Sequence, residues 1–80
     1  MNQTLLLFRN TREVIKAEEA CRRAGLVLQV IATPKHISSD CGMCLQLEEA
    51  DGARALEILT PLGIMPRSHS KAEISPAFDL

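Results

Sequence analysis

The chain has 80 residues, enough for one small domain that hides roughly 60–65% of the surface it would expose when unfolded. Nine Lys and Arg against ten Asp and Glu give a net charge of −1 without a run of like charge, which excludes the electrostatic footprint of nucleic-acid binding and of a polybasic membrane anchor. Only Phe8 and Phe78 are aromatic, so aliphatic residues must build a modest core, and support from a second copy of the chain is expected.

The first apolar run, residues 5–8, is too short for a signal peptide or a spanning helix, and a cytoplasmic location follows as an expectation. The run suits a central strand over about residues 3–8, apolar on both faces. Asn10 can cap the next segment with Glu13 completing a capping box. Val14, Ala17, Cys21 and Ala24 then recur at helical spacing until Gly25 ends the helix. Cys21 lies on that apolar stripe and reads as a small core residue.

Residues 26–34, "LVLQVIATP", are rich in aliphatic and β-branched side chains and close at Pro34, as a strand near a sheet edge does. The polar loop "KHISSD" follows. In "MCLQLEE" the residues Met43, Leu45 and Leu47 alternate with Cys44, Gln46 and Glu48, which predicts a third strand. "ADGARALEIL" sets Ala53, Leu56 and Leu59 on one side of a second helix that ends at Thr60, Pro61 and Gly63. A weak fourth strand is predicted in "IMPRSHS", confined to an edge by Pro66.

The segment "CRRAGLVLQV" has an echo in "LTPLGIMPRS": helix end, Gly, then Leu or Ile opening a strand. Two β-α-β units of this kind make an α+β ferredoxin-like βαββαβ sandwich, an antiparallel sheet with two helices on one face and the second and fourth strands at its edges. Residues 1–70 are expected to form one such domain, with residues 71–80 as a C-terminal tail. Because the first strand is apolar on both sides, the face away from the helices needs a cover, supplied by the tail or by a second subunit in a homodimer.

The chemistry concentrates between Lys35 and Gln46. Cys41-Gly42-Met43-Cys44 matches the C-x-x-C spacing of thiol oxidoreductases and of many zinc sites. No helix follows it to lower a thiol pKa. Zinc would find only Cys41, Cys44 and His36 locally, with Asp40 a poor fourth ligand, so no metal or other cofactor is expected. Cys44 sits inside a predicted strand, where a structural role competes with that of a resolving thiol. Cys41 falls outside both apolar periodicities, after turn formers and before a flexible glycine, and packing does not account for it. Lys35, His36, Ser38 and Ser39 could each stabilise charge on its sulfur, whereas Asp40 would oppose ionisation.

The pattern "TPKHISSDCGMCLQL", between a β-α-β unit and the "ALEIL" helix, resembles the DUF3343 family of small sulfur or selenium carrier-like proteins. The resemblance covers roughly residues 4–65 and is most specific at Pro34, Ile37, Ser38, Ser39, Cys41 and Gly42. It implies a carrier that holds a persulfide or selenosulfide on Cys41. The partners implied are a cysteine desulfurase-type donor and an acceptor that the sequence does not name. Members of that family more often have a small residue such as alanine where this chain has Cys44. Two other classes stay open from the residues themselves: a redox protein cycling Cys41 and Cys44, and a small binding or assembly module. No Ser-His-Asp set, carboxylate pair or phosphate-binding glycine loop points to an independent enzyme.

Overall fold

A computed structural model describes residues 2–35, 37 and 42–70. Its elements run β1 (Gln3–Leu7), α1 (Thr11–Arg23), β2 (Leu28–Ala32), β3 (Met43–Glu48), α2 (Glu49–Leu59), a 3₁₀ turn (Thr60–Leu62) and β4 (Arg67–Ser70). The strands form one sheet in the order β2-β3-β1-β4, with every neighbouring pair antiparallel. This is the α+β ferredoxin-like arrangement, with β2 and β4 as the edges. Pro34 follows β2 and Pro66 precedes β4, so neither proline removes a ladder donor.

Leu6 and Phe8 of the first apolar run, Leu28 of β2, and Leu45 and Leu47 of β3 face the helices. There they meet Val14, Ala17 and Cys21 of α1 and Ala55 and Leu59 of α2 in the main core. The stripe of α1 follows the predicted spacing. That of α2 is rotated from the predicted one: Ala53 is exposed, and the buried positions are Ala55 and Leu59, with Leu56 half-buried. Gly52 lies on the sheet side of the helix, where a Cβ would sit 3.4 Å from Thr4 Cγ2. No loop separates β3 from α2; Glu48 ends the strand and caps the helix with its backbone alone.

The helix ends show why the two halves echo each other. After α1 the Leu26 N–H donates to the Cys21 carbonyl (3.0 Å) and the Gly25 N–H to Arg22 (3.0 Å). After the 3₁₀ turn the Ile64 N–H donates to Leu59 (3.2 Å) and the Gly63 N–H to Thr60 (3.0 Å). Both are Schellman motifs, with glycines at φ 88° and 76° and with Leu26 and Ile64 buried over Cys21 and Leu59. The strands start later than the echo suggests, at Leu28 and Arg67. At the other end of α1 Asn10 Oδ1 accepts the Glu13 N–H (2.9 Å), as predicted. The Glu13 carboxylate, however, takes the Arg9 N–H and guanidinium (3.3 Å each) rather than the cap's own N–H.

The second face of the sheet carries a smaller apolar cluster of Leu5, Leu7, Cys44 and Ile37, with Ile31 packed against it. The expected covers were the tail or a second subunit. Among the described residues the covering side chain is Ile37, from the β2–β3 connection. Residues 71–80 lie outside the described residues.

Candidate functional site

The C-x-x-C segment enters β3 at the end of the sheet, where the β2–β3 ladder closes. The last rung beyond the strands is a Thr33 N–H donated to the Gly42 carbonyl at 3.0 Å. Gly42 is exposed and has φ +72°, a conformation that residues with a Cβ adopt at a cost of about 1–2 kcal/mol. No atom would meet a Cβ at that position, so the requirement for glycine is conformational, not steric. On the other limb, the Ile37 N–H donates to the Pro34 carbonyl at 3.0 Å. That turn directs Ile37 down onto Leu5, Leu7 and Cys44, and leaves Lys35 exposed. Gly42, the residue next to Cys41 in the chain, is thus anchored to the rigid sheet on one side, and the loop's other limb is anchored by an apolar plug.

The sheet register sets the surroundings of Cys44. Ile31, Cys44 and Leu7 are direct neighbours across β2, β3 and β1, and Arg67 of β4 pairs with Leu7 at the end of that row. The adjacent row is Gln29, Gln46, Leu5 and His69. Cys44 has 0% exposure and lies between apolar neighbours. Cys21 is equally buried, on the helix side, and desolvation raises its thiol pKa above the ordinary value. A buried thiol held neutral in this way is a poor nucleophile.

Of the residues singled out in the sequence, Lys35 and Gly42 are at the mouth of the hairpin and Cys44 is beneath it. His36, Ser38, Ser39, Asp40 and Cys41 lie outside the described residues. Among the described residues no three His, Cys, Asp or Glu side chains gather as metal ligands.

Two residues were not read as site residues in the sequence. Ile37 was visible only as a letter in a pattern, because an isolated apolar residue in a polar loop has no period to assign it to a face. Thr33 gave no signal at all. Its hydroxyl is buried and is without a hydrogen-bond partner among the described residues, directly across the ladder from Gly42. On the outer side of the helices a groove of about 520 Å³ runs between Lys16, Glu19, Ala20 and Arg23 of α1 and Ile58 and Leu62. It mixes charges of both signs with apolar groups and contains no cysteine.

A family model described as "Putative Se/S carrier protein-like" matches residues 3–69, which includes both limbs of the hairpin and every described element but the last residue of β4. The chain belongs to this family. It is the DUF3343 family that the loop pattern resembles. No curated protein matches the sequence. Among solved structures, the regulatory subunit of aspartate kinase from Thermus flavus is similar, with a TM-score of 0.55 and 21% identity over 86% of this chain and 49% of that one. The chain therefore spans about half of that subunit, and at this identity the likeness shows the fold alone. No helix among the described residues is long and apolar enough to cross a membrane.

Proposed function

We propose that this carrier-family protein holds a sulfur or selenium atom on Cys41 and passes it to an acceptor. The observation that carries the reading is the burial of the other two cysteines: Cys21 and Cys44 each have 0% exposure, on opposite faces of the sheet. A donor persulfide has to be approached by an accessible thiolate, and Cys41 is the cysteine left to provide one. In the loading step the Cys41 thiolate attacks the outer sulfur of a donor persulfide. A new S–S bond forms at Cys41, the donor's S–S bond breaks, and the donor leaves as its thiolate. The proton on the outer sulfur travels with it, so Cys41 becomes Cys–S–SH and the electrons balance.

An unperturbed thiol is only a few per cent ionised at neutral pH, so donors near the sulfur govern the rate. The reading assigns this role to the Gly42 turn, to Lys35, His36, Ser38 and Ser39, and to the buried Thr33 hydroxyl, which has no other partner among the described residues. Cys44 acts structurally in this scheme, as part of the apolar layer under the loop. A C-x-x-C redox couple would need Cys44 to ionise within that layer, against its desolvation.

The test is intact mass after incubation with a cysteine desulfurase and cysteine. The wild-type chain is expected to gain one sulfur, Cys41→Ser none, and Cys44→Ala most of the wild-type amount. Loss of loading in Cys44→Ala as complete as in Cys41→Ser, with the wild type loaded, supports the redox couple instead, and a wild-type chain that gains no sulfur supports a binding module.

A further inference from the structure

We propose that β2 pairs with β2 of a second copy of this chain, antiparallel about a two-fold axis at Val30, joining two four-stranded sheets edge to edge. The ladder fixes which backbone groups are available. Thr33 and Gly42 are register partners joined through the Thr33 N–H, so residues 33, 31 and 29 turn their N–H and C=O groups toward β3. Leu28, Val30 and Ala32 therefore turn theirs outward. The Arg22 guanidinium reaches the Leu28 carbonyl from α1 at 3.2 Å, as an outward carbonyl allows. Among the described residues no hydrogen bond uses the outward groups of Val30 or Ala32.

The two edges of the sheet are unlike. Each has a proline just outside its strand, Pro34 after β2 and Pro66 before β4, but β4 carries Arg67 and His69, whereas residues 26–34 contain no charge and β2 has no bulge in its pairing with β3. Monomeric proteins usually guard an edge with charge, proline or a bulge, since an unguarded one templates pairing. Apolar exposure is also uneven. Of the five large exposed hydrophobics among the described residues, Val27 (78%) and Val30 (37%) are at this edge, and Ile15 (58%) lies on the side of α1 from which Arg22 reaches β2, as the spacing Ile15, Glu18, Arg22 requires.

The occupant follows from the sequence of the strand. In "LQVIA" antiparallel pairing about Val30 sets Val30 against itself, Leu28 against Ala32 and Gln29 against Ile31, so no charge meets its like and apolar residues face apolar residues on the helix side. An isologous contact of this kind needs no foreign peptide. The contact involves no cysteine, so the proposal does not depend on the carrier reading.

Light scattering of the full chain across a dilution series tests it. The wild-type protein is expected at twice its 8.8 kDa mass. Val30→Lys, which brings two like charges together at the axis, should raise the dissociation constant at least ~10-fold with the circular dichroism spectrum unchanged. Amide exchange gives an independent readout should that variant fail to fold: in the wild type, protection of the Val30 and Ala32 amides should be lost on dilution. A wild-type monomer, a dimer that Val30→Lys leaves intact, or Val30 and Ala32 amides whose exchange does not depend on concentration would each overturn the proposal.

Discussion

At the scale of single residues, Thr33 and Cys44 show how stability and chemistry separate around the hairpin. A buried hydroxyl without a partner costs about 1–3 kcal/mol of desolvation, and no hydrogen bond among the described residues offsets it for Thr33. Thr33→Val keeps the shape and removes that group, so the variant should unfold at higher urea concentration, by about 1 kcal/mol. If the hydroxyl serves the sulfur of Cys41, the same variant should alkylate more slowly at neutral pH, and its rate-against-pH curve should move to higher pH, while Thr33→Ser should restore the curve. A Thr33→Val protein that is more stable and labels at the wild-type rate would remove Thr33 from the site. Cys44 teaches the reverse lesson. Period-two alternation shows that it faces away from the helices, and both a resolving and a structural thiol fit that position. Its burial depends on Ile37, seven residues earlier in the chain, and on Leu5 and Leu7 of a different strand.

Secondary-structure elements repeat one device. Both helical segments end in a Schellman motif whose glycine has positive φ, Gly25 at 88° and Gly63 at 76°, and no atom lies within 4 Å of a Cβ built at either. Alanine there meets only a backbone penalty, about 1 kcal/mol at each position. Gly52 is the contrast. It lies inside α2, where alanine gains about 1 kcal/mol of helix propensity, and its Cβ would make only van der Waals contact with Thr4 at 3.4 Å. Urea denaturation should therefore rank Gly25→Ala and Gly63→Ala below wild type and Gly52→Ala at or above it. A stabilising Gly63→Ala would show that the turn is not held in the left-handed region. The Asn10 cap and the glycine stops were legible in the sequence because they are local: Asn10, Gly25 and Gly63 act within one turn of themselves, whereas the capping box expected of Glu13 was replaced by its pairing with Arg9. The face of α2 was not legible. Ala53 and Ala55 are equally apolar, and Ala55 is the buried one because the helix turns it into the core with Leu6 and Leu45, residues distant in the sequence.

Across the whole molecule, the helix-side core ties stability to pH through Cys21. Burial raises its thiol pKa above the ordinary 9.0, so the folded state keeps the proton to higher pH than the unfolded chain does. This contribution is fully present below about pH 9 and is lost as pH rises through the folded pKa. The free energy of unfolding should fall with pH above about 9, and Cys21→Ala, though less stable throughout because of the cavity it leaves, should show a shallower fall. An equal alkaline slope in both proteins would assign the effect to other groups.

By itself the sequence determined the βαββαβ order, the two edge strands and the carrier family, because each rests on short-range signals: alternation of period two, a stripe of period 3.6, prolines that exclude a central strand, and a loop pattern. Tertiary structure alone decided the rest. It placed Ile37 over the second sheet face, enclosed Cys44, buried the Thr33 hydroxyl across from Gly42 with no partner among the described residues, and turned the backbone of Val30 outward from an uncharged edge. The physical reason is the same in each case. Periodicity says which way a side chain points, but what it meets there is supplied by residues distant in the chain, and only the closed sheet brings them together.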